Sequence, residues 1–199
     1  MKVSREKAEE NRRNVIETSS RLFRENGFDG VGVSTLMQAA GLTHGGFYKQ
    51  FESKDDLITQ ATRVALTQTL DRIASRAKND DHPFETVVRS YLSDWHRDAV
   101  GSGCALAALG PDVARHGPEV RQVMQHGIEG YLSLLTQTAP ADAPELARDK
   151  ALTTLSTLVG ALLLARVVED RGLSDEILAA ATRSVLPEAE GDRVKRQVS

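Results

Sequence analysis

The sequence predicts an all-α protein in two parts. An N-terminal helix-turn-helix head of three helices over residues 1–54 precedes a helical-bundle body over residues 55–187, with a polar tail over 188–199. Three observations predict it. Apolar residues recur at three- and four-residue spacings, as in Val15, Ile16, Ser19, Leu22, Phe23 and again in Leu57, Ile58, Ala61, Val64, Ala65. Gly and Pro fall between such stripes, at Gly27, Gly41, Pro83, Pro118 and Pro187, where helices stop and start. Aromatics make up only 5% of the chain, so Leu, Ala and Val carry the apolar load, which suits helix packing.

The head begins with a charged arm, Met1 to about Lys7, carrying Lys2, Arg5 and Lys7; short charged termini usually fray. The first helix runs through Asn26 on the stripe just named. Gly27 is placed for a left-handed C-cap, with Phe28 as the hydrophobic contact beyond it. Asp29 to Gly32 is a turn, and Gly32 or Ser34 starts the second helix, Val33 to Ala40, with Leu36 and Ala40 inward. Gly41 ends it, and Thr43 offers an N-cap oxygen to a third helix, His44 to Gln50. Two helices joined by so short a Gly-containing turn form the helix-turn-helix pattern.

Phe47 and Phe51, one turn apart, face inward and leave His44, Gly45, Tyr48, Lys49 and Gln50 pointing elsewhere. An ordinary helical hairpin does not account for Gly45 and Gly46. Each Gly inside a helix costs about 0.8–1 kcal/mol relative to Ala. What the pair offers is close approach of bare backbone N–H groups at a helix N-terminus, which suits phosphate. Tyr48 and Lys49 add a phenol donor and a cation.

The stretch GLTHGGFYKQFESKDDL resembles the signature of the TetR (tetracycline-repressor-like) transcriptional regulators. That signature reads G-[VL]-[ST]-x-G-x-[LF]-Y-x-[HY]-F-x-[SN]-K-[ED]-x-L. Gly41, Thr43, Gly45, Phe47, Tyr48, Phe51, Ser53, Lys54 and Leu57 match it; Gln50 stands where His or Tyr is commoner. The resemblance is close over about the first 60 residues, and beyond them rests on length and helical character. It implies a ligand-responsive repressor whose body binds a small molecule and dimerises. It also implies DNA contacts from Thr43, His44, Gly45, Gly46, Tyr48, Lys49, Gln50 and Lys54. Thr43, Gly45, Tyr48 and Lys54 would chiefly hold phosphate, and His44 with Lys49 or Gln50 would reach base edges.

In the body, Ser53-Lys54-Asp55-Asp56 reads as a capping box with an acid at its fourth position. Lys54 opposes the helix dipole there, so its cation calls for another partner. The helix it opens keeps an apolar stripe to about Ala77. Pro83 starts the next, with Val87, Val88, Tyr91, Leu92 and Trp95 on one face and His96 beside them. Cys104 opens a helix to about Arg115 that Gly110-Pro111 should kink or divide. Pro118 starts another, to about Thr138, with Val120, Val123, Met124, Gly127, Ile128, Tyr131 and Leu135 inward. After a loop at Pro140–Pro144 come helices at about Glu145–Arg171 and Ser174–Leu186. Leu152, Leu155, Leu158, Val159, Leu162, Leu163 and Val167 give the first of these more apolar surface than one core-facing stripe needs. Either the pair finishes the monomer's core, or it pairs with a second copy as an intermolecular four-helix bundle, which we expect.

Tyr91, Trp95, His96, Cys104, Met124 and Tyr131 are the candidate ligand-pocket residues, with plain core as the competing reading. For Cys104 the alternatives are a small buried hydrophobe and a thiol activated by a helix N-terminus, the basis of an electrophile- or oxidant-sensing variant of the same scaffold. No Lys, Arg or His adjoins it in sequence to favour thiolate.

Composition bounds the rest. The 199 residues are 40% apolar and 27% charged, ordinary for a soluble globular chain. Net charge is −3, yet residues 1–54 hold nine Lys/Arg against seven Asp/Glu, while 55–199 hold sixteen against twenty-one. That asymmetry has the sign a DNA-binding head needs. One Cys excludes an intrachain disulfide, no signal-peptide pattern opens the chain, and the apolar run Leu158–Val168 is broken by Arg166; a cytoplasmic protein without membrane partners is expected. No G-x-S-x-G, P-loop or H-E-x-x-H occurs, and His44, His82, His96, His116 and His126 lack ligand spacing. No catalytic, metal or cofactor site is therefore expected, and a helical enzyme is the remote alternative. Expected partners are double-stranded operator DNA, a small-molecule effector and a second copy joined through the two C-terminal helices.

Overall fold

Where the apolar stripes fall, helices form. The computed structural model describes residues 4–139 and 147–186, and all regular structure in them is helical. The helices are α1 Arg5–Asn26, α2 Val33–Ala39, α3 Lys54–Ala77, α4 Pro83–Tyr91, α5 Asp94–Asp98, α6 Ala105–Arg115, α7 Pro118–Thr138, α8 Ala147–Val167 and α9 Arg171–Val185. Two 3-10 segments, His44–Lys49 and Val100–Ser102, complete the described structure. The expected loop at 140–144 and the tail from 188 lie outside these residues.

Packing divides the chain into two compact units, Met1–Arg72 with Ala99–Tyr131, and Ile73–Asp98 with Leu132–Ser199. These are units of packing and do not coincide with the 54/55 boundary expected between head and body. In the first, α1 packs on α2 and α6, and α2 packs on the 3-10 segment His44–Lys49. Its core includes Val15, Ile16 and Phe23 of α1, Leu36 and Met37 of α2, Phe47 and Phe51, and Leu57 and Ile58 of α3. Phe28 lies edge-on to Phe23, ring centres 5.5 Å apart.

In the second unit, α8 packs on α9, and α4 lies against both. Val87, Val88, Tyr91, Leu155, Leu158, Leu162 and Leu178 are buried there. Short α5 is fixed by charge. Arg97 reaches Asp94, Asp98 and Asp175, and Arg171 closes on Asp98 at 2.8 Å. Arg166 donates to the carbonyls of His96 (2.7 Å) and Arg97 (3.1 Å), satisfying the C-terminal end of α5.

Several expectations need correction. Helix α1 begins at Arg5 because the Ser4 hydroxyl accepts from the Lys7 N–H, so Arg5 to Lys7 of the expected arm are helix, and its first three residues lie outside the described ones. Gly27 takes a positive φ of 74° but ψ of 170°, outside the left-handed helical region, and still donates to the Phe23 carbonyl. The third head helix is a 3-10 segment. Pro111 lies inside a continuous α6: it is exposed, so its ring faces solvent and a single backbone bond is forfeited. Helix α4 stops at Tyr91 and its buried stripe at Leu92, since the Ser93 hydroxyl caps a new helix by accepting from the His96 N–H. Trp95 is thereby turned outward, 48% exposed. Ile128 is exposed too, whereas Leu132, not foreseen, is buried. Finally α8 ends at Val167 and α9 starts at Arg171, because the Asp170 carboxylate caps it through the Leu173 N–H at 2.6 Å.

Candidate nucleic-acid interface

The turn between α2 and the 3-10 segment is set by its glycine. Gly41 adopts φ of 71°, and the N–H groups of Gly41 and Leu42 return to the carbonyls of Gln38 and Met37, both at 2.9 Å. This is a Schellman stop, in which the glycine takes the left-handed position that L side chains resist. Thr43 then occupies the N-cap position in extended geometry, although its hydroxyl makes no capping bond.

The segment His44–Lys49 is wound tighter than an α-helix because little in HGGFYK favours one. Two glycines and two aromatics have low helix propensity, and six residues are too few to offset nucleation. What holds it is burial of Phe47 and Phe51, whose rings meet at 5.4 Å; each buried Phe contributes about 1.5–3 kcal/mol. The opposite face is bare. Thr43, His44, Gly45, Tyr48 and Lys49 are all exposed, Tyr48 to 70%. Tyr48 is propped edge-on between Phe47 (5.1 Å) and His44 (6.4 Å), so its phenol is presented outward.

Neither Gly45 nor Gly46 has a positive φ. A methyl group built on Gly45 meets nothing within 4 Å, and one on Gly46 makes only ordinary contact with Met37 at 3.6 Å. The fold of the subunit therefore gives no reason for either residue to lack a side chain.

The remaining two predicted contacts behave differently. Gln50 is half-buried, and its amide donates back to the Gly46 carbonyl at 3.4 Å. Lys54 extends its ammonium to the Phe28 carbonyl at 2.6 Å, which is the partner its position against the dipole required. Behind it, the Ser53 hydroxyl accepts from the Asp56 N–H, while the Asp56 carboxylate accepts from the Glu52 N–H, a capping box displaced by one residue. Helix α1 also supports the site: the Asn14 amide donates to the Ala40 carbonyl at the end of α2. Nothing in the sequence marks Asn14, or Arg12 two residues before it, as part of this site; both are polar positions beside an apolar stripe.

The six pocket candidates do not share one packing unit. Tyr91, Trp95 and His96 belong to the second; Tyr91 and His96 are buried, with the His96 Nδ1 2.6 Å from the Tyr91 carbonyl, and Trp95 is exposed. Cys104, Met124 and Tyr131 belong to the first, where all three are buried. Cys104 is the N-cap of α6, and the carbonyls just before it are gripped: Arg24 and Thr69 donate to Gly103 O at 2.9 and 3.1 Å, and Arg72 to Ser102 O at 2.9 Å. Burial brings the Arg24 guanidinium down to about 10, so it remains a cation at neutral pH. Burial first, and the Cys104 thiol beside it next, push the Tyr131 phenol above its ordinary value and keep it protonated. Within this unit a cavity of about 790 Å³ opens between Arg63, Leu66 and Leu70 of α3 and Val123, His126 and Gly127 of α7, apart from the six candidates. Among the described residues no three His, Cys, Asp or Glu side chains converge.

Comparison with known proteins points the same way as the turn and the exposed face. Residues 15–61, from mid-α1 into α3, match the family model described as bacterial regulatory proteins, tetR family. The HTH-type transcriptional repressor NemR of Escherichia coli (strain K12) is 24% identical over 130 residues, 63% of this chain and 65% of NemR's length. The HTH-type transcriptional repressor DhaR of Mycobacterium sp. (strain GP1) is 22% identical over 191 residues, covering 90% of this chain and 94% of DhaR. Among solved structures, a TetR-family transcriptional regulator from Cytophaga hutchinsonii superposes with a TM-score of 0.76 at 18% identity, over 93% of this chain and 96% of that one. With the helix-turn-helix geometry described above, these matches give the chain the head of the tetR family of bacterial regulatory proteins over residues 15–61, and the fold of its solved structures over most of its length.

Proposed function

We propose that the protein is a transcriptional repressor that grips operator DNA through Thr43, His44, Gly45, Gly46, Tyr48 and Lys49 and lets go when a small molecule binds its helical body. The observation that carries this reading is the glycine pair: two side chains are missing from a bare surface segment that the fold would tolerate with them. A DNA backbone laid against Gly45 and Gly46 supplies the missing reason, with Tyr48 and Lys49 as donors to phosphate and His44 aimed at base edges. Gln50 would have to leave the Gly46 carbonyl to join them. Lys54 keeps two ammonium hydrogens for a phosphate beyond the one given to Phe28.

Dimerisation is supported by an exposed stripe on α8, where Leu152, Leu163 and Val167 recur at helical spacing, with Leu173 of α9 also exposed. By length and apolar composition α8 is also able to cross a membrane. We assign its outer face to a second copy, and the protein to the cytoplasm where its DNA lies. For the effector, the cavity between α3 and α7 has the volume of a small-molecule site. Helix α3 starts at Lys54, directly behind the reading segment, so an effector that prefers one setting of α3 lowers operator affinity by linkage.

A thiol-sensing variant is the second reading, favoured by the Arg24 cation, the Tyr131 hydroxyl and Cys104 lying together although the sequence places none of them side by side. Alkylating Cys104 should release DNA if this reading holds, and should leave binding intact if the effector is reversible. The main test is to incubate the purified chain with random-sequence duplexes and sequence what it retains. Recovery of a shared, two-fold symmetric motif with half-sites roughly 34–36 Å apart or a multiple of that supports the proposal. Recovery of unrelated sequences rejects it.

A further inference from the structure

Arg12 of α1 stands behind the reading segment, and each of its interactions ends on a group that fixes that segment's orientation. Its Nε donates to the Gln50 carbonyl at 3.3 Å, the carbonyl that closes the 3-10 segment. A terminal nitrogen donates to the Gln60 side-chain oxygen on α3 at 2.7 Å. The guanidinium carbon sits 5.1 Å from the centre of the Phe51 ring. Gln60 in turn donates to Asp56 at 2.6 Å, and the other oxygen of Asp56 accepts from the Glu52 N–H. A closed set of bonds thus runs from the end of the reading segment through α1 to the first turn of α3.

The chemistry suits an anchor. The last carbonyls of a helical segment lack internal partners and carry partial negative charge, so a cation there is favourable. A guanidinium is planar with donors at fixed angles, so two acceptors and a ring together define its orientation and, through it, theirs. Such an anchor matters most here because the segment is short, contains two glycines and has no side-chain N-cap. Without it, Phe47 and Phe51 fix the segment's depth but leave its rotation about their axis less determined.

We propose that Arg12 is the positioning residue of the reading segment: it holds the Gln50 carbonyl and Gln60 together, sets the angle at which His44, Tyr48 and Lys49 meet the grooves, and meets no DNA itself. The inference rests on the DNA-binding reading given above.

The test uses the full chain and two duplexes, one retained by the wild type from a random pool and one of the same composition with its sequence scrambled. Arg12→Met should weaken binding to the retained duplex by about tenfold or more, as expected for losing charged hydrogen bonds that order the site. Binding to the scrambled duplex should change by less than about twofold, with an unaltered salt slope, because no phosphate contact is lost. Gln60→Met should act in the same direction, and the double variant should be no worse than Arg12→Met alone. Arg12→Lys, able to reach one acceptor but not both at the same angle, should restore part of the selectivity. Equal losses on both duplexes with a flatter salt slope would place Arg12 on a phosphate and overturn the inference, as would wild-type selectivity in Arg12→Met. If Arg12→Met fails to fold by circular dichroism, Gln60→Met decides alone, and wild-type selectivity there overturns the inference. A wild type that retains no duplex in preference to the scrambled one removes the DNA-binding reading itself, which is a different failure.

Discussion

Gly45 lies at an ordinary backbone angle with open space where a side chain would project, so its replacement by Ala should do the subunit no harm. We expect the melting of Gly45→Ala, followed by circular dichroism, to be unchanged or raised, by up to about 1 kcal/mol of stability. A clear drop would make the glycine structural. Lys54 behaves in the opposite way. Its ammonium closes on the Phe28 carbonyl across 26 residues of chain, and the hydrogen bond is charged and half-buried. Lys54→Ala should therefore cost about 1.5–3 kcal/mol in thermal or urea unfolding, in addition to any loss on DNA. The sequence marks Lys54 as a cation needing a partner, because it stands against the helix dipole. It does not show that the partner is a carbonyl of the turn after α1, since that contact depends on how the end of α1 and the start of α3 pack.

At the scale of elements, local signals and tertiary ones separate cleanly. Caps and stops are legible: Gly41, Ser53, Pro83 and Pro118 act where the chain places them, because each needs only its near neighbours. Pro111 misleads, since whether a proline breaks a helix depends on what its ring meets, and here it meets solvent. Trp95 misleads because the stripe from Val87 continues through it, while Ser93 quietly starts a new helix with a different rotation. The 3-10 winding of His44–Lys49 is foreshadowed by its poor helix formers, but Arg12 and Asn14 are not, being ordinary polar residues until folding brings them to the ends of two other elements. The α5 charge cluster is equally silent in the sequence, and it yields a pH prediction. Arg171 first, then Arg97, hold the Asp98 carboxyl well below the usual carboxylate range. A carboxyl depressed in this way contributes stability above its unfolded pKa of about 3.9, and that contribution is lost as pH falls through the folded value. Asp98→Asn should therefore melt at a lower temperature than wild type at pH 7, and the gap should begin to narrow as the pH is brought below about 4, closing only toward the depressed folded value. A gap that stays constant with pH would detach Asp98 from the acid response.

For the molecule as a whole, the proposed function needs two properties together: a bare reading face and a means of presenting two copies of it. The exposed stripe on α8, with Val167 66% exposed, is where the second copy is expected. Leu163→Glu or Val167→Glu should shift the protein to monomer in sedimentation velocity, keep its helical circular dichroism, and lower its affinity for a two-fold symmetric duplex. A dimer that survives both changes would move the interface elsewhere. The central claim is that the glycine pair exists to let DNA approach. Fluorescence anisotropy of wild type and Gly45→Ala on the duplex retained by the wild type tests it most directly. The account predicts a fully folded variant that binds about tenfold or more weaker, the cost of one methyl group wedged between backbone and phosphate. A folded Gly45→Ala with wild-type affinity would contradict it.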